Sequence, residues 1–243
     1  MLSKNKIKFI KSLQLKKFRD EANLFVVEGE KSANEILENR PELISEIYYT
    51  EAFDLKGLHQ NQFEVNLITE KELAQISGLK TANKILIVCK KWEVNLSDFR
   101  FILALDDIQD PGNMGTLIRL ADWYGVEAIV CSNNTVELYN PKVIQAAMGS
   151  AFRTKVFHLD LREFLSKTKL PIYGALLHGE NVYQNKLKGE GILILGNEGN
   201  GISEEIEKLV QHRITIPKKG KTESLNVATA GAILLSEFFR GSF

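Results

Sequence analysis

Three loops carry the residue types from which a site could be built. The first runs Asp106-Asp107-Ile108-Gln109-Asp110-Pro111-Gly112-Asn113-Met114-Gly115 and opens a helix that places Arg119 about one turn inside it. The second, Gly196-Asn197-Glu198-Gly199-Asn200-Gly201-Ile202-Ser203, has three glycines that leave room for a ligand to approach the backbone. The third extends from Ile216-Pro217 to Glu223-Ser224-Leu225-Asn226, with Lys218, Lys219 and Lys221 around Gly220 as a basic loop able to face a phosphate. Each also has a plain structural explanation: a turn with a solvent-facing arginine, a tight turn capped by Ser203, and a solvated run of lysines. Loops that follow strands are nonetheless where a layered α/β protein binds its ligands.

Other chemistries find no support in the sequence. The glycine loop lacks the GxGxxG spacing and acidic ribose clamp of a dinucleotide fold. A GxxxxGK[ST] phosphate loop, an HExxH helix and a GxSxG elbow are missing. With two cysteines and the scattered histidines His59, His158, His178 and His212, no metal site is expected. His178 alone sits beside an informative strand end. Cys89 and Cys131 lie in apolar runs, as small buried thiols do, and a disulfide is not expected.

The elements that must position these loops can be read from hydrophobic periodicity. From residue 100 onward strands are expected at 100–106, 127–131, 155–159, 171–177, 191–196 and 213–217. Helices are expected at 115–124, 141–150, 160–167, 203–211 and 224–240. Uninterrupted apolar runs such as Gly191-Ile192-Leu193-Ile194-Leu195 suit parallel strands covered on both faces. Asn140-Pro141 is a cap followed by proline at the first helical position. The first half alternates more loosely, with strands at 24–28, 44–49, 63–67 and 84–90 and a helix over 30–38. A capping box, Thr69 with Glu72, opens another helix. Residues 91–98 have no clear period, so the boundary is placed near 95, giving domains 1–95 and 96–243.

The chain has 243 residues, 44% hydrophobic and 26% charged, which fits one large or two small globular domains. Lys plus Arg and Asp plus Glu are 31 each, so no global field draws in nucleic acid or membrane. The one strong asymmetry is the N-terminus: Lys4, Lys6, Lys8, Lys11, Lys16, Lys17 and Arg19 precede the first acid, Asp20. Interleaved apolar residues make much of this segment a basic amphipathic helix followed by a turn, either a solvated face or a nucleic-acid contact. The N-terminus does not read as a secretory signal and no membrane span is expected, so the default expectation is a soluble cytoplasmic protein.

Taken together, Asn113 with Arg119 six residues on, Gly196-Asn197-Glu198-Gly199, and Ile216-Pro217 followed by Glu223-Ser224-Leu225-Asn226 resemble the signature motifs of the SpoU/TrmH family of SPOUT RNA methyltransferases, over roughly 99–243. Lys16-Lys17-Phe18-Arg19 and Phe25-Val26-Val27-Glu28-Gly29 look like that family's substrate-binding domain, which has a ribosomal-protein-like α/β fold. The resemblance implies methyl transfer from S-adenosylmethionine to a ribose 2′-hydroxyl in ribosomal or transfer RNA. It implies a trefoil-knotted, mainly parallel sheet with helices on both faces, and a homodimer with its active site at the subunit interface.

Carried over residue by residue, the resemblance places catalysis on Asn113, Arg119, Glu198, Ser224 and Asn226. It places the cofactor against Leu176, Gly196, Asn197, Gly199, Ile216, Pro217 and Leu225. RNA is expected on Lys6, Lys8, Lys11, Lys16, Lys17 and Arg19. A guanidinium is a poor base at neutral pH, so Arg119 is assigned to gripping the adjacent phosphate and stabilising the developing alkoxide. Gln145 and Ala147 stand where relatives commonly carry arginine and serine, which weakens inference about RNA contacts there. The alternatives are base methylation, a catalytically inactive RNA-binding scaffold and a small-molecule enzyme.

Overall fold

Apolar runs of four to six residues become fully buried strands, and the computed structural model that describes them covers residues 1–54, 63–95 and 97–241. His59 and position 96 of the expected linker lie outside the described residues. The chain divides into two compact units, Met1–Glu93 with Leu138–Phe152, and Val94–Glu137 with Arg153–Phe243. The division is therefore not a single cut near 95: one segment from the expected second domain belongs to the first unit.

The first unit begins with two helices, α1 (Lys4–Ser12) and α2 (Lys16–Ala22), where one helix and a turn were expected. The second forms around Arg19, which is 2% exposed and donates from Nη1 to the Leu13 carbonyl at 2.8 Å. It ends at Asn23 in the left-handed region, φ 54°. There follow β1 (Leu24–Glu28), α3 (Glu30–Asn39), β2 (Ile44–Tyr49), β3 (Glu64–Leu67), α4 (Glu70–Ile76) and β4 (Ile85–Lys90). The sheet order is β1-β4-β2-β3, with only β2 and β3 parallel. The capping box forms as expected, and Glu72 also accepts from the Leu2 amide at 2.8 Å.

Residues 138–152 complete this unit. Tyr139 accepts from the Trp92 amide at 3.1 Å and donates to its carbonyl at 2.6 Å, in an aromatic cluster with Phe25 and Phe152. Helix α6 (Pro141–Ala147) buries Val143 and Ile144. It stops three residues before the expected end because Met148 turns to φ 53°, ψ −140°, and a 3-10 turn takes over. Gly149 there lies so close to Glu35 that a Cβ would meet the Glu35 side chain at 2.3 Å.

The second unit is built on a six-stranded sheet in the order β10-β8-β9-β5-β6-β7, with every pairing parallel. Its strands are β5 (Phe101–Leu105), β6 (Ala128–Cys131), β7 (Val156–His158), β8 (Ile172–Asn181), β9 (Gly191–Leu195) and β10 (His212–Thr215). Its helices are α5 (Pro111–Tyr124), α7 (Leu161–Lys167), α8 (Glu204–Glu207) and α9 (Val227–Phe239). Alternate side chains of a strand point to opposite faces. Ile102 and Ala104 of β5 pack with Leu161, Leu165 and Ile206 of α7 and α8. Phe101 packs on the other side against Phe238 and Phe239 of α9. Gly231 lets α9 approach α5, since a Cβ would meet Leu117 at 2.8 Å. Helices thus cover both faces.

Helix α8 is shorter than the expected 203–211, because the chain turns at Leu209 and Val210 through i→i+3 bonds to enter β10. Helix α9 begins at Val227 rather than 224, because Asn226 is its cap. Strand β8 runs to Asn181, beyond the expected 177, but not evenly. Its partner advances one residue, Arg213 to Ile214, while β8 advances from Gly174 to Glu180, so residues 175–179 loop out of the ladder.

Candidate functional site

The carboxyl ends of β5, β8, β9 and β10 carry the loops singled out in the sequence. After β5, Asp106 is 5% exposed and accepts from the Ser203 amide at 2.8 Å. Asp107 adopts φ 58°, and its carbonyl accepts from Asn197 Nδ2 at 2.8 Å. These two residues tie both ends of the loop after β9 to the end of β5. The sequence marks them only as acids of the first loop, and their contacts with Ser203 and Asn197 give them this role.

The loop after β9 is closed on itself. Asn197 and Gly201 exchange two backbone bonds of 2.9 Å, and Asn197 Oδ1 accepts from the Gly199 and Asn200 amides at 2.9 and 3.1 Å. Only glycine fits at 196, where a Cβ would come within 2.2 Å of the Gly201 carbonyl carbon. Asn197 therefore spends its whole side chain on shaping the loop, while Glu198 and Gly199 remain exposed at its tip.

Asp110 caps α5 by accepting from the Asn113 amide at 2.8 Å, which presents the Asn113 side chain to its neighbours. Asn113 Nδ2 donates to Glu198 Oε1 at 2.6 Å, and Asn113 Oδ1 accepts from Asn226 Nδ2 at 2.9 Å. Asn226 Oδ1 in turn accepts from the Ala228 and Thr229 amides at 3.0 and 3.2 Å, capping α9. Three of the five expected catalytic residues thus form one carboxylate–amide–amide chain joining two helix starts and the glycine loop. Arg119 is exposed on α5, and Ser224 is exposed before α9; neither makes a hydrogen bond or ion pair among the described residues.

The expected cofactor residues line the same strand ends. Leu176 is half-buried in the looped-out stretch of β8, and its neighbour Leu177 is 66% exposed. Thr215 Oγ1 donates to the Leu177 carbonyl at 3.2 Å, which joins this loop to the end of β10, immediately before Ile216 and Pro217. Gly179 is pressed against β10, where a Cβ would come within 2.5 Å of the Arg213 carbonyl oxygen. Leu225 is 47% exposed beside Asn226. Bare backbone and open apolar side chains at these positions fit an adenosyl group held by amides, carbonyls and apolar contacts.

The expected RNA contacts separate into two sets. Lys6 is paired with both carboxylate oxygens of Glu46, at 2.9 and 3.0 Å, and Arg19 is buried in its own backbone contact, so both serve the first unit's structure. Lys8, Lys11, Lys16 and Lys17 are exposed, beside the exposed rings of Phe9 and Phe18. Lys17 reaches Glu21 only at 3.9 Å. Both cysteines are fully buried, and burial pushes their thiols well above the usual range, so neither supplies a nucleophile. Among the described residues there is no metal-holding group of His, Cys, Asp and Glu, and no helix long and apolar enough to cross a membrane.

Residues 100–236 match the SpoU rRNA Methylase family, and residues 4–86 match the MRM3-like substrate binding domain. The chain is 32% identical to the 23S rRNA (guanosine(2553)-2′-O)-methyltransferase RlmP of Bacillus subtilis, over 95% of this chain and 94% of that one. A putative RNA methyltransferase of the TrmH family from Porphyromonas gingivalis superposes with a TM-score of 0.89 at 36% identity, covering 99% of each chain. The SpoU methyltransferase AviRb of Streptomyces viridochromogenes, solved in complex with AdoMet, shares the fold at a TM-score of 0.85 and 20% identity, over 99% of this chain and 98% of that one.

Proposed function

The chain belongs to the SpoU rRNA Methylase family, and from that premise we propose that it methylates a ribose 2′-hydroxyl of large-subunit ribosomal RNA, using S-adenosylmethionine. The observation that carries the reading is the Glu198–Asn113–Asn226 chain, with an exposed Arg119, its side chain unpartnered among the described residues, on the helix that Asn113 begins. The sulfonium cofactor supplies an electrophilic methyl group. The 2′-oxygen forms the new C–O bond as the C–S bond breaks; the hydroxyl proton leaves, and S-adenosylhomocysteine is the other product.

The protein's task is alignment and charge stabilisation. Arg119 grips the phosphate next to the target ribose and stabilises the developing alkoxide, while phosphate or water takes the proton. Glu198 orients the Asn113 amide; Ser224, free of protein partners, positions the ribose. The adenosyl group lies against Leu176, Gly196, Asn197, Gly199, Ile216, Pro217 and Leu225. The first unit binds RNA through Lys8, Lys11, Lys16 and Lys17, whose exposed charge suits a phosphate backbone.

A homodimer and a trefoil knot are part of the same proposal. Trp123 supports the first: it is 80% exposed and falls on the Thr116–Arg119 stripe of α5, a large apolar surface that a second copy would cover. The second is supported by the path of the chain, which crosses β8 to form β10 and then returns to pack α9 on α5. The work is placed in the cytoplasm, with the ribosomal RNA.

The test is incubation with tritiated S-adenosylmethionine and unmodified large-subunit rRNA, followed by digestion to nucleosides. Label in a 2′-O-methylnucleoside is expected. Label on a base would make the chain a base methyltransferase; no label together with no cofactor binding would leave an RNA-binding scaffold.

A further inference from the structure

The loop that follows β6, residues 132–136, carries none of the expected site residues, yet it braces the loop that does. Thr135 is 4% exposed. Its hydroxyl accepts from the Ile108 amide at 3.2 Å and donates to the Leu105 carbonyl at 3.2 Å. Ser132 Oγ stands 3.2 Å from Thr135 Oγ1 and accepts from the Asp107 amide at 2.9 Å. A hydroxyl has one proton to give and two lone pairs. The Thr135 proton goes to Leu105, so the proton between the two hydroxyls belongs to Ser132, and every capacity of Thr135 is filled. Backbone bonds close the same seam: the Ser132 amide donates to the Leu105 carbonyl at 2.9 Å, and the Val136 amide to the Ile108 carbonyl at 2.8 Å.

Between these holds lies Asp107 at φ 58°, a left-handed turn that few residues other than glycine keep without support. The turn aims the Asp107 carbonyl at Asn197 Nδ2, 2.8 Å away. Asn197 Oδ1 in turn holds the Gly199 and Asn200 amides, and Glu198, between Asn197 and Gly199, receives the Asn113 amide. Hydrogen bonds and one backbone turn therefore link the Thr135 hydroxyl to the glycine loop.

We infer that Thr135, assisted by Ser132, is a positioning residue for methyl transfer: it fixes the Asp107 turn, and through Asn197 it sets the 196–201 loop for the cofactor and Glu198 for Asn113. Buried, it acts through Asp107 rather than on substrate. The inference rests on the proposed cofactor site at Gly196, Asn197 and Gly199. Without the Thr135 hydroxyl the amide of Ile108, a fully buried residue, loses its acceptor. The turn then relaxes, and the Asp107 carbonyl withdraws from Asn197.

Two substitutions separate the hydroxyl from the shape. Thr135→Val keeps the shape and removes the hydroxyl; Thr135→Ser keeps the hydroxyl and removes a methyl group. Thr135→Val is expected to raise the Kd for S-adenosylmethionine about tenfold and to slow single-turnover methylation of an unmodified rRNA transcript, at saturating cofactor, by about as much again. RNA affinity should not change, and Thr135→Ser should stay near the parent on every measure. Leu165→Ala opens a cavity on the α7 side of the same sheet; it should lower Tm at least as far and leave cofactor affinity alone. Hydrogen exchange of the 196–201 segment reads the brace without ligand or activity, and it should quicken in Thr135→Val but not in Leu165→Ala. Should Thr135→Val fail to fold, Ser132→Ala, at a half-buried position, removes the bond to Asp107 and is read in the same way. Equal cofactor affinity and loop exchange in Thr135→Val and Leu165→Ala, or a Thr135→Ser variant as impaired as Thr135→Val, overturns the brace. A parent chain that labels no rRNA removes the proposed activity instead, and loop exchange then decides the brace.

Discussion

Asn113 shows how much chemistry can rest on one side chain. Its amide donates to Glu198 and accepts from Asn226, so both of its ends are committed and its orientation is set. Arg119 has no such anchor, which leaves its five donors for substrate. Arg119→Ala is expected to lower kcat by about 10²–10³, and Arg119→Lys to recover only part of it, because a point charge lacks the two-pronged geometry. Single-turnover methylation of the rRNA transcript measures this; full recovery by lysine would remove the bidentate role. The residue types here are visible in the sequence. Their pairing is not: Asn113 and Glu198 are 85 residues apart, and nothing in either loop alone says that they touch. Lys6 and Arg19 make the opposite point. Seven bases without an acid look like one surface, yet Glu46 and the Leu13 carbonyl, supplied by other elements, remove two of them.

At the scale of elements, helix starts do double duty. Asn226 caps α9 with its oxygen and orders Asn113 with its nitrogen, so the two tasks can be separated. Asn226→Asp keeps the cap and is expected to leave Tm within a degree or two while kcat falls about tenfold or more; Asn226→Ala should lose activity and about 1 kcal/mol of stability. Calorimetry beside kinetics distinguishes them, and equal activity in the Asp variant would show that the amide contact is idle.

Glu72 offers a pH-dependent case. The amides of Thr69 and Leu2 and the Thr69 hydroxyl hold its carboxyl down at about 2. A lowered carboxyl stabilises the fold above its unfolded value, near 4.5, and that contribution is lost as pH falls from there towards 2. Glu72→Gln should therefore lower Tm at pH 7 and flatten its decline below pH 4.5; an unchanged slope would mean that the contact persists in the unfolded chain. The strands and the capping box follow from local pattern. The ends of α6, α8 and α9 do not: Met148 turns out of the helical region, the chain turns at Leu209 and Val210 to enter β10, and Asn226 caps α9 instead of lying inside it.

At the scale of the whole molecule, the sequence order and the packing order disagree. The parallel sheet with helices on both faces was legible because its central strands are apolar on every residue. The interrupted first unit was not, because Val143, Ile144 and Tyr139 look like core residues of whichever domain surrounds them. A fragment ending at residue 95 is expected to bind hydrophobic dye and unfold without a cooperative transition. Joining residue 93 to 138 through about four Gly/Ser residues, long enough to span ~13 Å, should restore one, since Tyr139 already bonds Trp92. Chemical denaturation followed by far-UV circular dichroism checks both; a cooperative 1–95 would show that residues 138–152 are dispensable.

The same interruption imposes a timetable on the ribosome. The first unit ends at Glu93, but its last piece, Leu138–Phe152, is made about 60 residues later. At 5–20 residues per second that is a wait of roughly 3–12 s, during which the face that α6 will cover is open. The nascent chain therefore completes its first unit only after the leading strands of the second have been translated. Trigger-type holding of that face, or a pause after residue 152, would raise the yield of active protein, whereas slowing translation between 94 and 137 would lower it.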